Sequence, residues 1–129
     1  MTIETEVRAY VIAGTTVAGL IGTRMYPNKL PQGVTLPAVR YQLIAQTRLR
    51  NLGGGAGRAT PVLQIDCFAD GYVAAKALAA AVRARIGDFN GILSTLRAVI
   101  AIETERDDYD DTVKADRVIQ DYRISFNET

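Results

Sequence analysis

The sequence lacks histidine altogether and has a single cysteine, Cys67. Histidine is the side chain that most often serves as a general base or metal ligand near neutral pH, so its absence removes the usual centre of both kinds of site. One cysteine cannot form a disulfide within the chain, and a catalytic thiolate would need a neighbouring histidine to activate it. We therefore expect Cys67 to be a small buried residue, and we predict a protein that is not an enzyme and holds no metal or cofactor.

Long apolar runs and a strong net charge are missing too. No stretch approaches the ~20 apolar residues that cross a bilayer, so no membrane contact is expected. The first residues are acidic and have no signal-peptide layout, which favours a protein made and used in a cytoplasm, or in something assembled there. A net charge of +1 over 129 residues argues against a dedicated nucleic-acid-binding protein. The length and the 48% hydrophobic content predict one globular domain, residues 1–129.

The clearest pattern in the chain is a strand–turn–helix unit over residues 60–86. Apolar residues alternate over residues 61–69, which predicts a strand with Cys67 on its core-facing side. Asp70 is the expected N-cap of a helix that starts at Tyr72, because a carboxylate accepts from the free backbone N–H groups of the first turn. That helix should pack on the strand through an apolar stripe with three- and four-residue steps, made of Ala75, Leu78, Ala79, Val82 and Ile86.

Similar periodicities predict the other elements. Helices are expected over residues 3–13 and 17–21, and strands over residues 38–46, 96–104 and 117–126. Gln120 falls on the core-facing side of the last strand, so it needs a polar partner or a place at the edge of the sheet. The helices should cover one face of a mostly antiparallel four-stranded sheet, which is an α+β fold with the order α-α-β-β-α-β-β.

A glycine-rich segment, residues 47–59, separates two of the predicted strands. It carries Arg48, Arg50 and Arg58, and no acidic residue occurs between Val34 and Ile65. A phosphate-binding Walker loop would need a Lys-Ser or Lys-Thr pair after its last glycine and a helix beyond it, and this segment has neither. We therefore predict a long loop between two antiparallel strands.

An acidic segment, residues 103–111, follows the third predicted strand. Its carboxylates include Asp107, Asp108, Asp110 and Asp111. The segment lacks the glycine at the sixth position and the glutamate at the twelfth that an EF-hand calcium loop requires. We interpret it as a wide, solvated turn rather than a metal site.

Several short stretches, spread over nearly the whole chain, form one recognisable set. They are VAGLIGTRMYP (17–27), LPAVRYQ (36–42), VLQIDCFA (62–69) with the alanine-rich helix after it, and ETERDDYD (103–110) leading to YRISF (122–126). Together they resemble the phage tail-completion family, also called the tail-to-head joining or tail-terminator proteins of long-tailed phages. These stretches are packing and turn motifs, and none of them is catalytic.

The resemblance implies a structural virion protein. Such proteins form a ring, usually a hexamer, at the head-proximal end of the tail tube; the ring ends tube polymerisation and joins the tail to the head connector. The implied partners are other copies of the chain, the tail tube protein and the head-completion or connector protein, with at most a passing, non-specific contact with DNA in the channel. A phage, a prophage or a gene transfer agent would carry such a sequence. The alternatives are another neck or tail component of the same particle, or a non-enzymatic α+β binding adaptor.

The two charged segments suggest how subunits of such a ring could meet. In a head-to-tail ring each subunit offers one surface to the next subunit and a different surface to the previous one. Our interface hypothesis pairs Arg48, Arg50 and Arg58 of one copy with Asp107, Asp108, Asp110 and Asp111 of its neighbour. The opposing hypothesis is that both segments are only solvated, and that apolar residues of the outer sheet face, Ile44, Val62 and Phe68, make the contact instead.

Overall fold

The computed structural model describes residues 2–51, 54–93 and 95–127, and it describes the side chains in these ranges except those of residues 45–60 and 127. Within them the chain forms three helices, α1 (Ile3–Ala13), α2 (Thr15–Ile21) and α3 (Tyr72–Ile86). The strands of the same residues are β1 (Met25–Pro27), β2 (Ala38–Asn51), β3 (Gly54–Ala69), β4 (Asn90–Leu93), β5 (Leu96–Asp110) and β6 (Ala115–Asn127).

The strands form one curled, mixed sheet in the order β1-β2-β3-β6-β5-β4. β1 runs parallel to β2, and every other neighbouring pair among the described residues is antiparallel. The predicted four-stranded antiparallel sheet is therefore wrong. The sequence pattern misses β1 and β4 because they are only three and four residues long and contain Pro27 and Gly91, which are unfavourable in strands.

The predicted loop over residues 47–59 is also wrong. β2 and β3 stay paired from Thr47 opposite Thr60 to Asn51 opposite Gly54, so these residues extend a long hairpin. Register shifts occur after Leu43 and after Leu49, and the second one lies beside the glycines. Glycine in a strand commonly marks such an irregularity, and pairing with a neighbouring strand supplies the order that local propensity does not.

The acidic segment is a strand as well, so the predicted wide turn over residues 103–111 is wrong. β5 pairs with β6 as far as Asp110 opposite Ala115, and a short turn joins them. A register shift between Ile102 and Thr104 places an extra residue, Glu103, on the β5 side. Charged side chains are compatible with an outer strand because they stay in contact with solvent.

One face of the sheet carries the core, and the helices pack on it. The buried stripe of α3 is the predicted one, and α1 contributes Ile3, Val7 and Val11. Cys67 is fully buried in this core, as predicted. The predicted N-cap is wrong, since the helix is preceded by Gly71 at φ +112° and no side chain caps it. Such a backbone conformation favours glycine over residues with a side chain.

The opposite face of the sheet is partly buried too. Ala38, Phe68, Ala115 and Ile119 are at most 5% exposed although they lie away from the helices. Phe68 was expected to be exposed on this face, and its 1% exposure corrects that expectation. Ile44, by contrast, is 46% exposed as expected.

Candidate interaction surfaces

β5 presents its carboxylates alternately to the two faces of the sheet. Asp107 pairs with Val118, which belongs to the core face, so Asp107 points to the helix side. Asp108 pairs with Arg117 and points to the opposite side. Because side chains alternate along a strand, Glu105 shares the face of Asp107. The acidic segment is thus divided between two surfaces and forms no single cluster.

On the helix side, these carboxylates hold helix α3 against the sheet. Lys76 Nζ lies 3.0 Å from Asp107 Oδ1 and 3.7 Å from Glu105 Oε2, and Arg83 forms an ion pair with Glu105. The Tyr72 hydroxyl donates to Asp107 Oδ2 at 3.0 Å. The hydrogen bond from Lys76, followed by the one from Tyr72, lowers the pKa of Asp107. The favourable contact therefore requires the ionised carboxylate.

Gln120 extends this contact into the protein interior. Its Nε2 donates to the carbonyl oxygen of Ala79 in α3 at 3.0 Å and to Glu105 Oε1 at 2.8 Å, and its Oε1 accepts from the Tyr122 hydroxyl at 2.8 Å. The prediction that Gln120 needs a partner is confirmed. Burial raises the pKa of Glu105, but the Gln120 hydrogen bond and the Arg83 charge outweigh it, so the net effect is a lowered pKa.

On the opposite face lies a charge cluster that the sequence reading did not identify. Asp66 is fully buried, forms an ion pair with Arg40 and accepts from Gln64 Nε2 at 3.0 and 3.2 Å. Arg117 Nη1 lies 3.8 Å from Asp66, and its Nη2 binds Asp108, whose pKa it lowers. The charge cluster was predictable in principle from one feature of the sequence. Asp66 is a carboxylate in the middle of an apolar strand, and both neighbouring strands carry an arginine.

Most of the acids in the interface hypothesis have partners within the chain. Asp110 Oδ1 accepts from the backbone N–H groups of Thr112 and Val113, both at 2.9 Å, and so stabilises the β5–β6 turn. Asp107 and Asp108 are engaged as described above. Asp111 is exposed in the turn. A neighbouring subunit that approached this end would find Asp111 accessible and the other three carboxylates already hydrogen-bonded.

The arginines of the hypothesis lie at the other end of the sheet. Arg48, Arg50 and Arg58 belong to the paired arms of the β2–β3 hairpin, and their side chains fall outside the described ones. Arg48 is opposite Ala59, which is opposite Phe126 near the end of β6, whereas the acidic end reaches Asp116 near its start. Ten residues of strand separate these levels, about 33 Å at ~3.3 Å per residue. One subunit therefore does not bring the two sets together.

An exposed apolar corner lies beside the acidic end. Tyr72 and Val73 at the start of α3 are 53% and 80% exposed, and Tyr109 is 52% exposed. Tyr109 is two residues beyond Asp107 on the same face of β5, and Asp107 accepts from Tyr72, so these residues are neighbours. We call Tyr72, Val73 and Tyr109 the aromatic corner. The sequence pattern did not predict the aromatic corner, because Tyr109 lies beside Tyr72 only when the acidic segment pairs as a strand.

Two further observations concern the chemistry of the described residues. Within residues 2–51, 54–93 and 95–127, no group of three or more cysteine, aspartate or glutamate side chains is arranged to hold a metal ion. In the same part of the chain, no helix is long and apolar enough to cross a membrane.

Comparison with known proteins gives one matching family and a set of solved structures with a similar fold. The family model described as "Tail completion protein gp17" matches residues 5–127. A chain of a solved structure described as "Virion of native gene transfer agent (GTA) particle" is 21% identical with a TM-score of 0.74, and the alignment covers 97% of this chain and 94% of that chain. A second solved structure is 16% identical with a TM-score of 0.58, covering 100% of this chain and 98% of the other. No curated protein matches the sequence.

The class of protein follows from the match over nearly the whole chain: this is a structural component of a phage-like tail and not an enzyme. The chain belongs to the family of the tail completion protein gp17. The resemblance stated from the sequence is therefore confirmed. The two structural similarities, both below 25% identity, show that the fold is shared.

Proposed function

We propose that the protein is the terminator subunit of a phage-like tail. Its copies form a closed ring, a hexamer, on the head-proximal end of the tail tube. The ring ends tube polymerisation and offers its other side to the head-completion or connector protein. The observation that carries this proposal is the match of residues 5–127 to the tail-completion family. The shared fold of a chain from a gene transfer agent virion is consistent with a place in such a particle.

The unequal ends of the sheet give the chain two different surfaces, as a ring requires. A ring requires heterologous contacts, in which two different surfaces of the same chain meet. The β2–β3 hairpin carries arginines without nearby acids in the sequence, and the β5–β6 turn is acidic. The two surfaces are complementary in charge and lie about 33 Å apart along β6 at ~3.3 Å per residue, so they can meet only between copies. The pairing of Arg48, Arg50 and Arg58 with the acidic end remains part of this proposal.

Deletion of the gene in a strain that produces the particles tests the function. We expect tail tubes longer than normal in electron micrographs, with no heads attached, and normal particles when the gene is supplied again. Tubes of normal length that lack heads would favour another neck component of the particle. Complete particles without the protein would exclude a role in the tail and leave a binding adaptor.

The oligomeric state tests the ring separately. Light scattering on the purified protein at increasing concentration should show a species of six times the 14.0 kDa chain mass, alone or together with the tail tube protein. A dimer that dominates under all conditions would contradict a ring, because an isologous contact closes after two copies.

Charge reversal tests the interface hypothesis. Exchanging Arg48 and Arg50 for glutamate should prevent ring formation. Restoring complementarity at the acidic end is best done with Asp111→Lys, because Asp107, Asp108 and Asp110 hold contacts within the subunit. Partial recovery in the triple variant is expected. Rings that form normally after the first reversal would mean that these arginines do not contribute to the contact.

A further inference from the structure

We infer that the aromatic corner is the docking surface for the β2–β3 hairpin of a second copy of this chain, so that Tyr72, Val73 and Tyr109 receive the arginine-bearing arms of the neighbour. The inference rests on the proposed ring and specifies the surface on which its subunits meet. The interface hypothesis from the sequence pattern rested on the carboxylates. The structure indicates instead the exposed apolar residues that lie beside them.

The first argument is the concentration of exposed apolar surface. Single exposed apolar residues are common on protein surfaces, but adjacent ones mark contact sites. Three of the large apolar residues exposed by more than half lie in this one corner: Tyr72, Val73 and Tyr109. The corner is also held firmly, because Tyr72 donates to Asp107 and Asp107 binds Lys76. A pre-organised surface loses little conformational entropy when a partner binds.

The second argument is the chemistry of the rim. Asp70 and Asp111 are exposed and Asp116 is half-buried, and all three lie next to the corner along the chain or across the β5–β6 pairing. Lys76 Nζ already lies 5.8 Å from the centre of the Tyr72 ring, so the Tyr109 ring is the better place for a neighbour's guanidinium, which can lie on an aromatic face while it pairs with an acid. Tyrosine and arginine are also enriched among the residues that contribute most to protein contacts. The rim therefore favours a basic, arginine-bearing partner.

The third argument identifies the partner as another copy. The β2–β3 hairpin has three arginines and no acid between residues 47 and 60, and its end lies at the far end of the sheet from the corner. The separation of about 33 Å, at ~3.3 Å per residue of β6, excludes a contact within one subunit. Repetition of the same hairpin-to-corner contact around an axis would generate a closed ring.

Cysteine cross-linking tests the contact directly. Cys67 is the chain's single cysteine and is fully buried, so introduced cysteines can be oxidised without competition from it. A chain carrying Tyr109→Cys and Arg50→Cys, assembled in solution or on tails, should give a ladder of disulfide-linked chains up to the ring number. A chain carrying Leu20→Cys and Arg50→Cys is the matched control. Leu20 is exposed on α2, which lies beside Ala81 and Arg85 at the end of α3 opposite to the corner, so this chain should give no ladder.

Surface variants give a second, independent measurement. Val73→Ser and Tyr109→Ser should each raise the concentration needed for half-assembly at least tenfold, while Leu20→Ser should leave it unchanged. Far-UV circular dichroism should show the same fold in all three. The inference would be overturned by an assembly of wild-type mass that does not cross-link through Tyr109→Cys and does not respond to Val73→Ser. The proposed ring would still stand, and the hairpin would then bind the tube or DNA. A wild-type chain that never assembles, even on tails, would refute the proposed function and this inference with it.

Discussion

Replacing Gln120 by leucine tests how the sheet holds helix α3. The side chain is fully buried, and its amide makes three hydrogen bonds, to Ala79, Glu105 and Tyr122, at 2.8 to 3.0 Å. Leucine has a similar volume and keeps the apolar packing, so the change removes polar contacts without leaving a large cavity. The loss should therefore report on hydrogen bonding rather than on packing.

The three partners lose different amounts. Ala79 lies inside α3, where regular helix geometry supplies its carbonyl with a backbone N–H donor one turn later, and Glu105 keeps its ion pair with Arg83. The Tyr122 hydroxyl is fully buried and loses its acceptor, which costs roughly 1–3 kcal/mol for an unsatisfied polar group. With about 1 kcal/mol for the other bonds, we expect Gln120→Leu to lower the free energy of unfolding by about 2–4 kcal/mol.

Tyr122→Phe completes a double-mutant cycle. Alone it should cost about 1 kcal/mol, because the Gln120 oxygen then lacks a donor. In the double variant neither group is stranded, so the total cost should be about 1–2 kcal/mol less than the sum of the two single costs. Urea unfolding followed by circular dichroism, with an unchanged m value, measures all four free energies. A cost below about 0.5 kcal/mol for Gln120→Leu, or strict additivity of the two changes, would refute this account of the network.

Three further predictions concern single sites. The pKa values of Glu105 and Asp107 are lowered in the folded protein. Their contribution to stability is therefore complete above the pKa of the unfolded carboxyls and is lost as the pH falls through the folded pKa values. Glu105→Gln should accordingly weaken the dependence of the urea midpoint on acid pH. Burial raises the pKa of the Cys67 thiol, so a thiol reagent should label it only when the protein unfolds. Cys67→Ser should lower the free energy of unfolding by about 1–2 kcal/mol and leave assembly intact. Rapid labelling of the native protein, or loss of assembly, would contradict the core role of Cys67. Gly71→Ala should destabilise the protein by about 1–3 kcal/mol, because Gly71 has a φ of +112°. Gly19→Ala should instead stabilise the protein by about 0.5–1 kcal/mol in the same unfolding assay, because Gly19 lies in α2 with open space around it. Equal effects of the two substitutions would contradict the backbone argument.

The elements with strong local periodicity were predictable from the sequence. α1 and α3 have the predicted residue ranges, because their apolar stripes and flanking glycines act locally. The core position of Cys67 follows from simple alternation in β3. The resemblance to the tail-completion family also came from the sequence, through short packing motifs that the family model confirms.

The sheet was less predictable because its order comes from partners distant in the chain. Glycines near residue 55 and acids near residue 107 oppose strand formation when they are considered alone, yet both segments pair along their length with a neighbouring strand. The same pairing decides the candidate surfaces. It sends Asp107 to the helix side and Asp108 to Arg117, and it places Tyr109 beside Tyr72, none of which the charge pattern alone could predict.

The carboxylates already have partners within the chain, and this limits how much ion pairs can contribute to a contact between copies. A neighbour's arginine that approached Asp107 or Asp108 would compete with Lys76 or Arg117, and exposed ion pairs are worth at most about 1 kcal/mol even without competition. In the proposed ring, burial of Val73 and Tyr109 would then supply most of the binding free energy, while the charges would orient the encounter. Raising the salt from 0.1 M to 1 M should therefore slow ring assembly measured by stopped-flow light scattering, since the Debye length falls from ~10 to ~3 Å, yet change the dissociation rate little. A dissociation rate that rises with salt as steeply as the association rate falls would show instead that ion pairs hold the subunits together.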